Sequence, residues 1–190
     1  SGVDITADCY PYDFWRSTLR VLFPNRDYTN LKSAEFAVNQ LFDPGRSPLL
    51  DYLPNPEYSG KSVLEVAALR KERPAETLMY LIAAASEFDE KHPDFPGNAE
   101  GIMGKSMDEP DVESFLAWPH TNICSDGSWS GHPRGYGAFT RVLGRYVRER
   151  GSMPLETAVY KMTGLAAQHL GLTDRGLVAP GYYADLVLFD

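Results

Sequence analysis

The stretch Thr121-Asn122-Ile123-Cys124-Ser125-Asp126-Gly127, continued by His132-Pro133-Arg134-Gly135-Tyr136-Gly137, decides how this chain is read. Thr121–Cys124 has the residue types of a short strand, and Ser-Asp-Gly stops it. Glycines at 127, 131, 135 and 137 make a loop, and a helical pattern follows, with Phe139, Val142, Leu143, Tyr146 and Val147 on one face. Strand, loop and helix in that order form one βα unit of a parallel α/β structure. In such structures a carboxylate at the strand's C-terminal end faces the ligand-binding mouth. Asp126 is therefore a candidate functional residue, although an aspartate opening a turn is the plainer alternative. His132, Arg134 and Tyr136 follow closely in the same loop. A guanidinium there can clamp a substrate carboxylate in bidentate fashion, or simply pair with Asp126.

Working outward, Gly151 ends that helix, and Leu155, Ala158, Val159 and Met162 predict another. Residues 184–189, Ala-Asp-Leu-Val-Leu-Phe, read as a strand running to the last residue, as in a segment cut from something longer. At the other end Val3, Ile5, Ala7 and Cys9 alternate with polar residues, predicting a strand that Tyr10-Pro11-Tyr12 stops. From about 24 to 120 the pattern is helical and loop-rich. Leu31, Ala34, Val38 and Leu41 keep helical spacing, Ser62 and Glu65 make a capping box, Pro74 opens a helix and Asp108 caps another. The acidic, proline-broken run between Glu87 and Glu113 reads as a solvated connection.

Several function classes drop out. The 190 residues carry 18 Lys plus Arg against 26 Asp plus Glu, a formal charge of −8 that disfavours nucleic acid as the partner. Arg141, Arg145 and Arg148 share a helix face without interleaved aromatics, the pattern of a solvated face. Aromatics at 12% exclude a disordered chain. The longest apolar run, Leu78 to Ala85, is far short of the ~20 residues a membrane span needs. With no secretory leader and two cysteines, Cys9 and Cys124, too far apart for a disulfide framework, a cytoplasmic protein is expected. Two Gly-Lys-Ser tripeptides, at 60–62 and 104–106, lack the upstream glycine of a phosphate loop; Asn55 and Ala99 stand there instead. His92, His120, His132 and His169 show no metal-ligand spacing, so the chain alone holds no complete metal site.

Three stretches together resemble the C-terminal part of the N-acyl-D-amino-acid deacylases (D-aminoacylases) of the amidohydrolase superfamily. They are Ala7–Tyr12, then Ser125–Gly127 with His132–Glu149, then Lys161–Thr163 through Asp174-Arg175-Gly176 to Gly181–Val187. The resemblance is clearest over 121–190, fair over 1–25 and loose between. It implies an α/β fold, the C-terminal part of a (β/α)8 metal-dependent hydrolase barrel with a helical lid insertion. Residues 1–181 would be the partial barrel, with strands seven and eight at 3–9 and 121–125 and the insertion at about 25–115. Residues 182–190 would begin the strand of a small β-sandwich.

The same resemblance implies hydrolysis of the amide bond of N-acyl-D-amino acids with one or two zinc ions. Asp126 would be metal ligand and general base, and Tyr12, Ser17, Arg134 and the more weakly aligned Arg26 would hold the substrate's carboxylate or carbonyl. The family's zinc-binding histidines and its zinc cysteine have no counterpart here, and Cys9 and Cys124 do not match that cysteine. The N-terminal remainder of the barrel, in a longer chain or a separate polypeptide, is thus an implied partner, and this segment alone would be inactive. Two other readings stay open: an amidohydrolase acting on cyclic amides, such as a dihydroorotase or hydantoinase, and a non-catalytic ligand-binding fragment.

Overall fold

Strands separated by more than a hundred residues pair in parallel: Ala7 lies beside Thr121, Asp8 beside Asn122 and Cys9 beside Ile123. In the computed structural model, which describes residues 2–127 and 132–190, these are β1 (Ala7–Cys9) and β5 (Thr121–Ile123). Between them the chain runs β2 (Phe14–Ser17), α1 (Leu31–Phe36), β3 (Leu49–Tyr52), α2 (Val63–Arg70), α3 (Pro74–Lys91), β4 (Glu100–Lys105) and α4 (Glu109–Ala117). After β5 come α5 (Arg134–Arg141), α6 (Leu155–Met162) and α7 (Gly164–His169). The chain divides into two compact units, one of residues up to Tyr12 with Asp108–Asp190, the other of Asp13–Met107. No helix among the described residues is long and apolar enough to cross a membrane.

In the first unit the expected strand–loop–helix order is present. The ladder extends past β5, where the Cys124 amide donates to the Cys9 carbonyl at 3.0 Å. α5 continues as a π-helix over Val142–Glu149, whose Val142 and Tyr146 are buried. α6 buries Ala158 and, unusually, Lys161, whose ammonium donates to the carbonyls of Thr121 (3.2 Å) and Trp118. Those carbonyls lie at and just before the start of β5, so one cation ties a helix to the entry of the strand that carries Asp126. Burial pushes the Lys161 pKa down.

The second unit holds an apolar cluster around Leu19, Leu49, Val66, Leu78, Leu81, Ile82 and Ile102, each fully buried. The expected helices are there with their expected caps. Ser62 and Glu65 close a capping box on α2, with Ser62 N–H donating to Glu65 at 2.7 Å. Pro74 occupies the first turn of α3. Leu31 to Leu41 is continuous, α1 passing into a π-helix over Ala37–Leu41.

Four expectations are corrected. The region read as helical also contains an antiparallel sheet ordered β2-β4-β3. Its central strand, β4, lies inside the run read as a solvated connection, and five of its six residues are buried. The reason is compositional. Glu-Gly-Ile-Met-Gly-Lys has little alternation and two glycines, while its charged ends are buried through specific partners. Glu100 accepts from the Leu19 amide at 2.8 and 2.9 Å, and Lys105 pairs with Asp13 at 2.6 Å. The opening strand is shorter than its pattern, three residues: Val3 and Ile5, 84% and 60% exposed, lie before the ladder begins at Ala7. Residues 184–189 form no strand: Val187 and Leu188 are exposed, and among the described residues no neighbouring strand supplies a ladder. The arginine face is only partly solvated. Arg145 makes a bidentate pair with Glu109 at 2.7 and 3.0 Å, holding that carboxyl down at about 2, and Arg141 bonds the Pro11 carbonyl.

Two measurements check this unit. Gly104 faces the Trp15 ring so closely that a Cβ would stand 2.1 Å from Cζ2, while the indole N–H donates to Ser106 at 2.7 Å. Gly104→Ala must expel the ring from a packed sheet face and lower stability by about 2–3 kcal/mol in thermal unfolding of the intact protein. Burial also pushes the Glu100 carboxyl from the usual 4.5 up to about 7. A carboxyl whose pKa is higher in the folded state favours folding while protonated. Its contribution is therefore full below pH 4.5 and lost as the pH rises through 7, by roughly 3 kcal/mol. Unfolding measured from pH 5 to 8 is expected to show that decline, and Glu100→Gln to flatten it.

Candidate active site

Because β1 and β5 run parallel, the residues that leave their C-terminal ends emerge at the same edge. β1 delivers Tyr10 and Tyr12 there, and β5 delivers Asp126. The segment returning into α5 adds His132 and Arg134. Asp126 sits at φ +45°, the left-handed region that aspartate tolerates better than most residues. Its carboxylate is 57% exposed.

Arg134 holds that conformation in two ways. Its Nε donates to the Asp126 carbonyl at 2.7 Å, and Nη2 lies 3.0 Å from the Asp126 carboxylate. The guanidinium is buried, and it lies 5.0 Å from the centroid of the Tyr10 ring. Of the two roles weighed for Arg134 in the sequence, the ion pair with Asp126 is present. The Arg134 amide in turn donates to His132 Nδ1 at 3.1 Å, and buried His132 meets Tyr12 edge-on, ring centroids 4.9 Å apart. Tyr12, His132, Arg134 and Asp126 are thus linked in sequence by direct contacts. Burial raises the Tyr12 and Tyr10 hydroxyls above their ordinary range, so both are hydrogen-bond donors at neutral pH.

Ser17 and Arg26 belong to the other unit. Ser17 is in β2, paired with Ile102, and Arg26 is exposed in a turn at φ +54°. The sequence placed His132 beside Asp126 without giving it a role, and it did not single out Tyr10 or Arg141 for this site. The available signal was position: aromatics directly after a strand end, and an imidazole two residues before the arginine.

The donor set speaks to a metal. Among the described residues no three His, Cys, Asp or Glu side chains gather in a way that could hold an ion. Burial raises both thiols, Cys9 to about 11. Among the described residues, the exposed Asp126 carboxylate after a strand end has the chemistry of a single oxygen ligand.

A protein-family model described as "Amidohydrolase family" matches residues 66–190. The chain belongs to the amidohydrolase family. Among its family relatives, a D-aminoacylase of Alcaligenes xylosoxydans xylosoxydans is 38% identical over 190 residues, covering 98% of this chain and 32% of the relative. An N-acyl-D-aspartate deacylase of the same organism is 53% identical over 87 residues, 44% of this chain and 18% of the relative. Among solved amidohydrolases, the N-acyl-D-glutamate deacylase of Bordetella bronchiseptica, complexed with zinc and a phosphonate inhibitor, superposes with a TM-score of 0.67. That match has 31% identity over 97% of this chain and 32% of the other. This amidohydrolase chain therefore spans about a third of the length of the relatives it matches.

The bond network makes one energetic prediction. Thermal unfolding of Asp126→Asn, Arg134→Met and the double variant is expected to show a coupling of about 1 kcal/mol, modest because the carboxylate is half in water. Additive effects would mean that the pair does not hold the loop.

Proposed function

We propose that this chain is the C-terminal-type portion of a zinc-dependent amidohydrolase that cleaves the amide bond of N-acyl-D-amino acids. In this reading β1 and β5 are the seventh and eighth strands of a (β/α)8 barrel, and the rest of the barrel lies outside this chain. The observation that carries it is the coincidence of two things. A match to D-aminoacylase runs along nearly the whole chain, and an exposed carboxylate stands where a parallel α/β unit puts its ligand.

Asp126 contributes one oxygen ligand to zinc, completed by groups elsewhere in the protein. Bound there, zinc would polarise the amide carbonyl and make water acidic enough to be deprotonated near neutral pH. Asp126 takes the proton of the attacking water, then returns it to the amine nitrogen as the C–N bond breaks, leaving a carboxylic acid and a free amino acid. The Arg134 ion pair keeps this carboxylate aimed. Tyr12, as a hydroxyl donor, and those Arg134 N–H groups not bonded to Asp126 hold the substrate's carboxylate.

Asp126→Asn in the intact enzyme is expected to abolish turnover of N-acyl-D-amino acids while KM changes little, since asparagine keeps the shape and loses the base. Arg134→Lys is expected to raise KM, because the planar fork is lost. Steady-state assays with acetylated D- and L-amino acids and with cyclic amides check both. Undiminished turnover by Asp126→Asn removes it as the base, and turnover of cyclic amides alone rejects the deacylase reading.

A further inference from the structure

The position of the Tyr12 hydroxyl is set by three neighbours, none of which the proposed reaction uses. His132 meets the ring edge-on at 86°. The Arg141 guanidinium lies over the ring, 4.8 Å from its centroid, and Arg141 Nε donates to the carbonyl of buried Pro11 at 2.6 Å. That bond fixes the backbone one residue before Tyr12 while the cation covers its ring. The third neighbour is defined by what it lacks. A Cβ at Gly137 would stand 2.7 Å from the Tyr12 hydroxyl oxygen, and among the described residues no other atom outside its own helix and adjoining residues lies within 4 Å.

Gly137 is inside α5, and its φ is not positive. Backbone geometry therefore gives no reason for glycine, which costs a helix about 1 kcal/mol relative to alanine. Among the described residues, the space it leaves is occupied by one atom, the Tyr12 oxygen. Arg141 lies one helical turn further along the same helix. Together they give α5 a floor and a rail for a single hydroxyl.

We infer that Gly137 and Arg141 are positioning residues that set where the Tyr12 hydroxyl meets the substrate's carboxylate. The substrate half of this inference rests on the proposed deacylase reading; the packing half does not.

The test uses the intact enzyme as Gly137→Ala, Tyr12→Phe and the double variant, with Arg141→Met alongside. Gly137→Ala is expected to raise KM for an N-acyl-D-amino acid about tenfold with kcat within about threefold, the signature of lost binding rather than lost chemistry. In the Tyr12→Phe background the oxygen is gone, so the same alanine is expected to leave KM unchanged. There it raises the melting temperature by about 1 °C, as a helix-favouring residue with room. Arg141→Met is expected to raise KM only when Tyr12 is present. If the alanine acts equally in both backgrounds, on melting and on KM alike, the positioning inference is overturned. If melting is coupled but Tyr12→Phe leaves KM unmoved, the packing stands and the carboxylate role assigned to Tyr12 fails.

Discussion

The pairing of Ala7–Cys9 with Thr121–Ile123 is the contact on which the rest of the site depends. Three residues a side is a short ladder, and closing a loop of this length carries an entropic cost that grows only slowly with its size. The loop between is folded in its own right, with an apolar cluster and a three-stranded sheet confined to Asp13–Met107. Around the ladder, Lys161 caps the start of β5, and Asn122 bonds Asp8 on β1 and His169 on α7. Parallel direction is the consequential feature. It brings the loop after each strand to one edge, so Tyr12 and Asp126 share a neighbourhood that neither could form alone.

At that edge the chemistry is a balance between holding and using a carboxylate. Asp126 adopts a backbone conformation uncommon for a residue with a side chain, and Arg134 bonds both its carbonyl and its carboxylate. An exposed ion pair is worth little, but here the cation is buried and anchored by its neighbours, while the anion faces outward. Such an arrangement fixes the direction of the carboxylate and leaves it open to a further ligand. His132 and Tyr10 pack around the arginine, and burial keeps the nearby thiols protonated.

Much of this was legible in the residues themselves. Helix starts were clear because capping chemistry is local: Ser62 with Glu65, Pro74 and Asp108 all begin helices where expected. The βα unit around Asp126 was legible because strand, glycine loop and amphipathic helix follow one another within thirty residues. The central sheet was not, since β4 buries Glu100 and Lys105 through partners dozens of residues away. A charged residue in sequence gives no sign that a distant amide or carboxylate awaits it. The tail erred in the opposite direction. Its residue types are those of a strand, yet a ladder needs a neighbour and residue types do not supply one. At the strand ends, the nearness of Arg134 to Asp126 was legible in their shared loop, while the packing of Gly137 and Arg141 against Tyr12 depends on a ring and a hydroxyl brought from the far end of the chain.

The central claim is that the Asp126 carboxylate completes a zinc centre assembled mostly from residues outside this chain. Anomalous diffraction at the zinc edge from crystals of the intact, zinc-loaded protein tests it most directly. The account predicts a metal peak within coordination distance of an Asp126 carboxylate oxygen, with Arg134 still bonded to the Asp126 carbonyl. A fully occupied zinc site with Asp126 outside its coordination sphere, paired only with Arg134, would contradict it.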